Sequence, residues 1–273
     1  MQACRPIDPP KKHQDELLRR AVAENPHNHP AGIVEPQRIA LLTTKQFKPS
    51  RTELTVSFTD GTTPAFRDKI LLYANKWQCG IIFRYTNGTG NVRISMGAGG
   101  YWSYLGTDIL SIPKNRPTMN LEGFTVSTPD SQWDLVVCHE FGHTLGFPHE
   151  HSREEIIDRL DSQGCYAHFR RTSGWSRRTV DQQILTVQPE SGLTSTDADE
   201  TSIMAYSFPA SCTKSREPIP GGLEINDQDR AFAQEIYSLE VDPEEPGPPD
   251  PDPLPDDDEW HLTLDDYEQI EFD

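Results

Sequence analysis

The stretch VVCHEFGHTLGFPHE, residues 136–150, restricts this chain more than any other part of it. His139, Glu140, His143, Gly146 and His149 stand at the fixed places of H-E-x-x-H-x-x-G-x-x-H. Histidines four residues apart on a helix lie one turn apart on the same face. A glycine just beyond them lets the chain leave the helix with positive φ, so His149 can return from a separate element. Three imidazoles converging on one point, with a fourth position open to water, make the ligand set of a catalytic zinc. Glu140, beside the first of them, is placed to act as general base on that water. The pattern predicts one Zn2+ held by His139, His143 and His149.

Downstream, across a long polar stretch, lies Ser202-Ile203-Met204-Ala205-Tyr206. Together with the longer histidine motif, this segment resembles the Met-turn of the metzincin proteases. Its S-x-M-x-Y form is most similar to the astacin and serralysin branches. That resemblance implies an apolar floor from Met204 beneath the histidines. It also implies a switchable fifth ligand from Tyr206, which swings away to stabilise an oxyanion. Two further runs carry the likeness: His149-Glu150-His151-Ser152-Arg153 is similar to the H-E-H-x-R of astacins, and Trp102–Thr107 to the segment before their zinc helix. Astacins block their zinc with the aspartate of a propeptide F-x-G-D, which is absent here. The glutamate matching Glu150 binds the trimmed N-terminus in that family, a role Glu150 keeps only if this chain is trimmed.

The resemblance implies an α+β, two-lobed fold: a twisted mixed sheet with backing and active-site helices above a mostly irregular C-terminal lobe. Residues 48–238 are expected to form the catalytic domain, with the first lobe ending near 146 and the second spanning 147–238. Residues 1–47 read as an N-terminal extension that covers the cleft before activation. Residues 239–273 read as a Pro-rich acidic tail. From 240 onward there are 15 acidic residues and no Lys or Arg, so of the net charge of −18 the body carries only −3. Such a tail is expected to be disordered up to residue 259 and to act as a solubilising tail; Trp260-His261-Leu262 and Tyr267 to Phe272 offer as alternatives a short docking motif or a cover over the chain's own cleft. No basic patch suggests nucleic acid, and no apolar run is long enough to span a membrane.

Taken in order, residues 15–23 read as a short helix stopped by Asn25-Pro26. His27 and His29 read as solvated, and the thiol in Cys4-Arg5-Pro6 as an unremarkable terminal one, since the run around a cysteine-switch thiol is missing. Residues 53–59 alternate like a strand; 65–77 carry Phe66, Ile70, Tyr73 and Trp77 at helical spacing. Residues 81–85 and 92–96 read as two strands joined by an Asn87-Gly88 turn, and 97–100 as a flexible turn beside the cleft. The resemblance places the sheet's edge strand within 111–126. There an extended substrate would add by main-chain hydrogen bonds. Thr128-Pro129-Asp130 reads as a capped helix start, and Asn226 as the cap of a closing helix to about 238. Arg170, Arg171, Arg177 and Arg178 read as solvated charges. Of the five cysteines, Cys138 reads as buried and Cys165 and Cys212 as a disulfide candidate, although spacing alone does not fix pairing. The resemblance implies secretion, while residues 1–24 contain no apolar signal-peptide core, so the compartment stays open.

These features predict a zinc endopeptidase in which Glu140 moves the proton and Tyr206 helps the zinc stabilise the oxyanion. Two alternatives stand beside it. One is a non-catalytic protein-binding module around a structural zinc, against which the open fourth position argues. The other is an aminopeptidase of the HExxH type, whose family takes a downstream glutamate as third ligand where this chain has His149.

Overall fold

A computed structural model of the chain describes residues 4, 14–29, 45–187 and 198–237. The predicted tail disorder and tail docking motif lie outside these residues. The described chain is α+β, with a five-stranded sheet and helices on it.

Strand β1 (Glu53–Phe58) is the sheet's second member, flanked in parallel by β2 (Ile82–Tyr85) and β3 (Val92–Ser95). Val56 is in register with both Tyr85 and Val92. The Asn87-Gly88 turn therefore does not close a hairpin, as the sequence reading implied; it lies between two strands on opposite sides of β1. Next come β5 (Met119–Leu121), parallel to β3, and finally β4 (Tyr101–Ser103), antiparallel to β5 at the edge. The expected edge strand within 111–126 is thus corrected: its strand β5 lies inside the sheet, and the edge belongs to β4. The glycine cluster before β4 is pinned, not loose. Glu122 accepts from the Gly99 and Gly100 amides, and the Asn120 amide donates to the Gly97 and Gly100 carbonyls.

Helix α1 (Gln14–Glu24) precedes the sheet and rests on the turn Gly106–Leu110, burying Leu17 and Ala21. The Asn25 and Asn28 side chains clamp the backbone of Phe47 and Gln46. Helix α2 (Pro64–Ala74) starts as its sequence demands, with Thr63 capping the Phe66 amide and proline in the first turn. Its Phe66 and Tyr73 pack with Phe124 around Trp133, at ring separations of 5.3 to 5.5 Å. The central helix α3 is a run of Asp130–Gln132, a π turn Trp133–Val137, and Cys138–Thr144. Its start has no side-chain cap, because the cap position falls on Pro129, whose side chain has no acceptor; the Thr128 hydroxyl accepts from the Thr125 amide.

Past the histidine motif the C-terminal lobe is more helical than expected. Helix α4 (Ser162–Ser173) is capped by Asp161 and ended by Gly174 at φ 70°. Its Cys165 and Phe169, four residues apart, join a second apolar core with Ile156, Leu160, Trp175 and Phe208. Arg170, Arg171, Arg177 and Arg178 are exposed as expected. The closing helix α5 (Asp227–Ile236) begins at Asn226 with a reciprocal capping box to Asp229. No helix among the described residues is long and apolar enough to cross a membrane.

Candidate metal centre

Helix α3 delivers the first two imidazoles, and the way it ends delivers the third. The Gly146 amide donates to the His143 carbonyl and the Phe147 amide to the Gly142 carbonyl, a Schellman closure. Gly146 sits at φ 94°, and a Cβ there would lie 2.9 Å from the Lys45 carbonyl oxygen. Glycine is therefore required both for the turn and for the close passage of the N-terminal chain. The reversal carries His149 back over the helix, and the Glu150 amide ties that loop to the Met204 carbonyl at 3.0 Å.

His149 Nε2 lies 3.1 Å from both His139 Nε2 and His143 Nε2. Nitrogens bound tetrahedrally at 2.0–2.1 Å from one zinc ion would be about 3.3 Å apart, so the set fits the ion. Two of the rings are oriented from behind, as metal-binding imidazoles commonly are. His139 Nδ1 bonds the Ile203 carbonyl at 2.7 Å, and His143 Nδ1 the Phe147 carbonyl at 2.8 Å. With Nδ1–H donating there, each Nε2 keeps its lone pair for a metal. Burial pushes the His139 imidazole down to about 4, and His143 and His149 well below their ordinary value. Neutral rings are the form that binds metal.

Glu140 is wholly buried, and burial pushes its carboxyl up to about 8. Neither carboxylate oxygen has a hydrogen-bond partner within normal reach among the described residues, although the Cys4 thiol faces them. A buried carboxylate without such partners is costly and is the group expected beside a reactive water. Met204 lies against Gly142, where an added Cβ would come within 2.5 Å of its sulfur. The Tyr206 ring stacks on His151 at 4.3 Å and packs against His149 at 4.7 Å, and its hydroxyl donates to the Cys4 carbonyl. Glu150 does not face the metal donors: it accepts from the Asp199 amide and the Arg153 guanidinium.

The structure thus gathers His139, Glu140, His143, His149, Met204 and Tyr206 in one place. It overturns the reading of Cys4 as an ordinary terminal thiol. Cys4 is buried, and its sulfur and the three imidazole nitrogens all lie within 4.8 Å of one another. The signal was in the chain: a complete zinc motif, no F-x-G-D aspartate, and a cysteine in the leading segment. Sequence reading also missed Asp229, which accepts from the Ser202 hydroxyl at 2.6 Å and the Ile203 amide at 3.0 Å. It thereby holds the carbonyl that orients His139. Nothing in the local sequence around Asp229 marks that role.

Fold and centre together define the class: the chain is a zinc metalloprotease that binds one Zn2+. Comparison with solved structures places it more closely. A structure of myroilysin is 30% identical with a TM-score of 0.66, over 72% of this chain and 97% of that one. A crystal structure of myroilysin is 28% identical at TM-score 0.53, over 86% and 100%. High choriolytic enzyme 1, a hatching-enzyme zinc protease of the medaka Oryzias latipes, is 16% identical at TM-score 0.47, over 77% and 98%. No family model matches the chain, and no curated protein does. The chain belongs to the metzincin zinc metalloproteases, in their astacin-like branch.

Proposed function

We propose that the chain is a zinc endopeptidase whose N-terminal segment keeps it latent through Cys4. The observation that carries the activity is the buried carboxylate of Glu140 beside three converging Nε2 atoms. His139, His143 and His149 would hold the zinc, which when bound supplies a Lewis acid that brings the pKa of water near neutrality. Glu140 takes the proton of the attacking water and passes it to the leaving amine. Tyr206, freed from its present partner, donates its phenol to the developing oxyanion. Met204 serves as the floor of a Met-turn. Edge strand β4 lies along α3, with the Ser103 and Thr144 hydroxyls 3.1 Å apart. An extended substrate adding to β4 would lie across the histidines, held by main-chain bonds indifferent to side-chain identity. Internal bonds of unfolded chains are the substrates this favours.

The latency rests on Cys4. With its thiolate as a fourth protein ligand the set becomes closed, the type found in structural sites. The catalytic unit begins slightly before residue 48, since Phe47 is fully part of the core. It extends to about 238, with residues 1–44 as the leading segment. The family resemblance favours a secreted enzyme. One observation favours a second reading: a set of Cys4 and three histidines also suits a binding module with a permanent structural zinc.

The test is digestion of an end-blocked, denatured protein by the full chain, Cys4→Ala, Glu140→Ala, and a chain trimmed beyond residue 4. Internal cuts by the trimmed chain and, more weakly, Cys4→Ala are expected, with little from the full chain. Glu140→Ala should bind one zinc and cut nothing. Cutting by the intact chain as fast as by the trimmed one would sink the latency. A trimmed chain that is folded, loaded with zinc and inert would establish the binding module.

A further inference from the structure

The five cysteines fall into three groups. Cys4 belongs to the metal donors, and Cys79 and Cys138 lie near the Ile81 and Tyr73 carbonyls in the first lobe. Cys165 and Cys212 meet in the second lobe, both fully buried. Cys165 is in the first turn of α4, and Cys212 ends the short turn Ala210–Cys212. The two backbones are locked together at this point. The Asp161 amide donates to the Cys212 carbonyl at 2.8 Å, Lys214 to the Arg159 carbonyl at 2.8 Å, and Leu160 bridges Thr213. Gly164 allows the approach: a Cβ there would sit 1.9 Å from the Ser211 oxygen and 3.3 Å from the Cys212 Cα. The Cys165 sulfur lies 3.6 Å from the Cys212 carbonyl oxygen.

We propose that Cys165 and Cys212, here free thiols, are the site of a structural disulfide that locks the C-terminal lobe. The Cys165 thiol donates to the Cys212 main-chain carbonyl, which brings the two residues together across the lobe. Exchange with oxidised glutathione can start from Cys212. Its thiolate attacks one sulfur of oxidised glutathione and expels one glutathione thiolate. Cys165 then attacks the mixed disulfide at the Cys212 sulfur and expels the second. Two protein thiols are oxidised, one glutathione disulfide is reduced, and both protein protons end on the two released glutathiones. Because both sulfurs are buried in the folded lobe, the bond forms as the chain folds and is then shielded from reductants. The linked residues are 47 apart, and the loop between them carries Met204 and Tyr206. The bond would hold the turn beneath the metal donors without touching them. This inference does not rest on the protease reading.

The experiment is refolding of the denatured, reduced full chain in a buffer of oxidised and reduced glutathione, and in parallel in excess dithiothreitol. Each is done with and without a zinc chelator. Free thiols are then alkylated in denaturant and the chain is mapped by mass spectrometry without reduction. The expected result is a cross-linked Cys165–Cys212 peptide, lighter by two hydrogens, with Cys79 and Cys138 alkylated. The oxidised form should melt about 5–10 °C higher than the reduced one. The double variant Cys165→Ala/Cys212→Ala, folded by circular dichroism, should melt at one temperature in both buffers. Alkylation of both cysteines after oxidative refolding, or their linkage to other cysteines, would overturn the proposal. An equal melting shift in the double variant would overturn the structural role.

Discussion

Replacing Asp229 tests how far the metal centre depends on the closing helix. The Asp229 carboxylate receives three donors: the Ser202 hydroxyl at 2.6 Å and the Ile203 and Asn226 amides at 3.0 Å each. Ile203 in turn offers its carbonyl to His139. In Asp229→Ala these buried donors lose their acceptor, at roughly 1–3 kcal/mol each before relaxation. A net loss of about 3–5 kcal/mol is expected, a large share of a stability of about 5–15 kcal/mol. His139 would also lose its fixed orientation, and zinc affinity should fall by about 10-fold, the low end for a supporting residue. Burial raises the Asp229 carboxyl and the three donors only partly pull it back, so Asp229→Asn should cost less than Asp229→Ala. The sign of the pH dependence follows. A carboxyl whose folded value exceeds its unfolded one contributes stability fully below the ordinary carboxylate range, and loses it as pH rises through the raised value. The wild type should lose stability over that interval relative to Asp229→Asn. Urea unfolding across pH and competitive zinc titration give both quantities. Asp229→Ala with wild-type zinc affinity and unfolding midpoint would refute the reasoning.

Other predictions concern packing around α3 and α4. Gly142→Ala places a Cβ 2.5 Å from the Met204 sulfur and 2.6 Å from Trp77; overpacking of about 1–3 kcal/mol should appear as a lower Tm. Gly164→Ala meets the rigid Ser211 backbone instead, so its Tm should fall further than that of Gly142→Ala; the reverse order would count against the packing described. Tyr237→Phe deletes a hydroxyl that donates to the Leu145 carbonyl at 2.5 Å and accepts from the Phe47 amide at 3.3 Å. A loss of about 1–3 kcal/mol is expected in urea unfolding, and an unchanged midpoint would exclude the contact.

What could be read from the chain was what chemistry fixes locally. The histidine spacing, Gly146 and the Asn226 cap each act within a few residues, and each is where the sequence puts it. Strand order was misread because pairing is decided at long range: β2 and β3 flank β1 instead of each other, and three-residue β4 takes the edge. Helix α4 was overlooked because only Cys165 and Phe169 of its twelve residues are buried, too few for a clear periodic signal. Cys4 was misread and Asp229 missed because their roles, like strand pairing, are set at long range. The partners that give them these roles lie far along the chain: Ile203, 26 residues from Asp229, and the histidines for Cys4.

Cys4 makes two contacts at once, and this separates two ways of removing it. Its sulfur belongs to the metal donor set, while its main-chain carbonyl accepts the Tyr206 hydroxyl. Cys4→Ala abolishes the first contact but leaves a carbonyl able to make the second. Trimming beyond residue 4 abolishes both. If Tyr206 stabilises the oxyanion, Cys4→Ala should regain zinc-site access yet cut more slowly than the trimmed enzyme. The deficit is at most the 10²–10³-fold in kcat that loss of one oxyanion donor costs, because a substrate can compete for the phenol. Tyr206→Phe should erase the difference between the two forms by slowing the trimmed one. Equal kcat for Cys4→Ala and the trimmed enzyme, with Tyr206 intact, would mean that the carbonyl contact places no restraint on Tyr206, and that the thiol alone enforces latency.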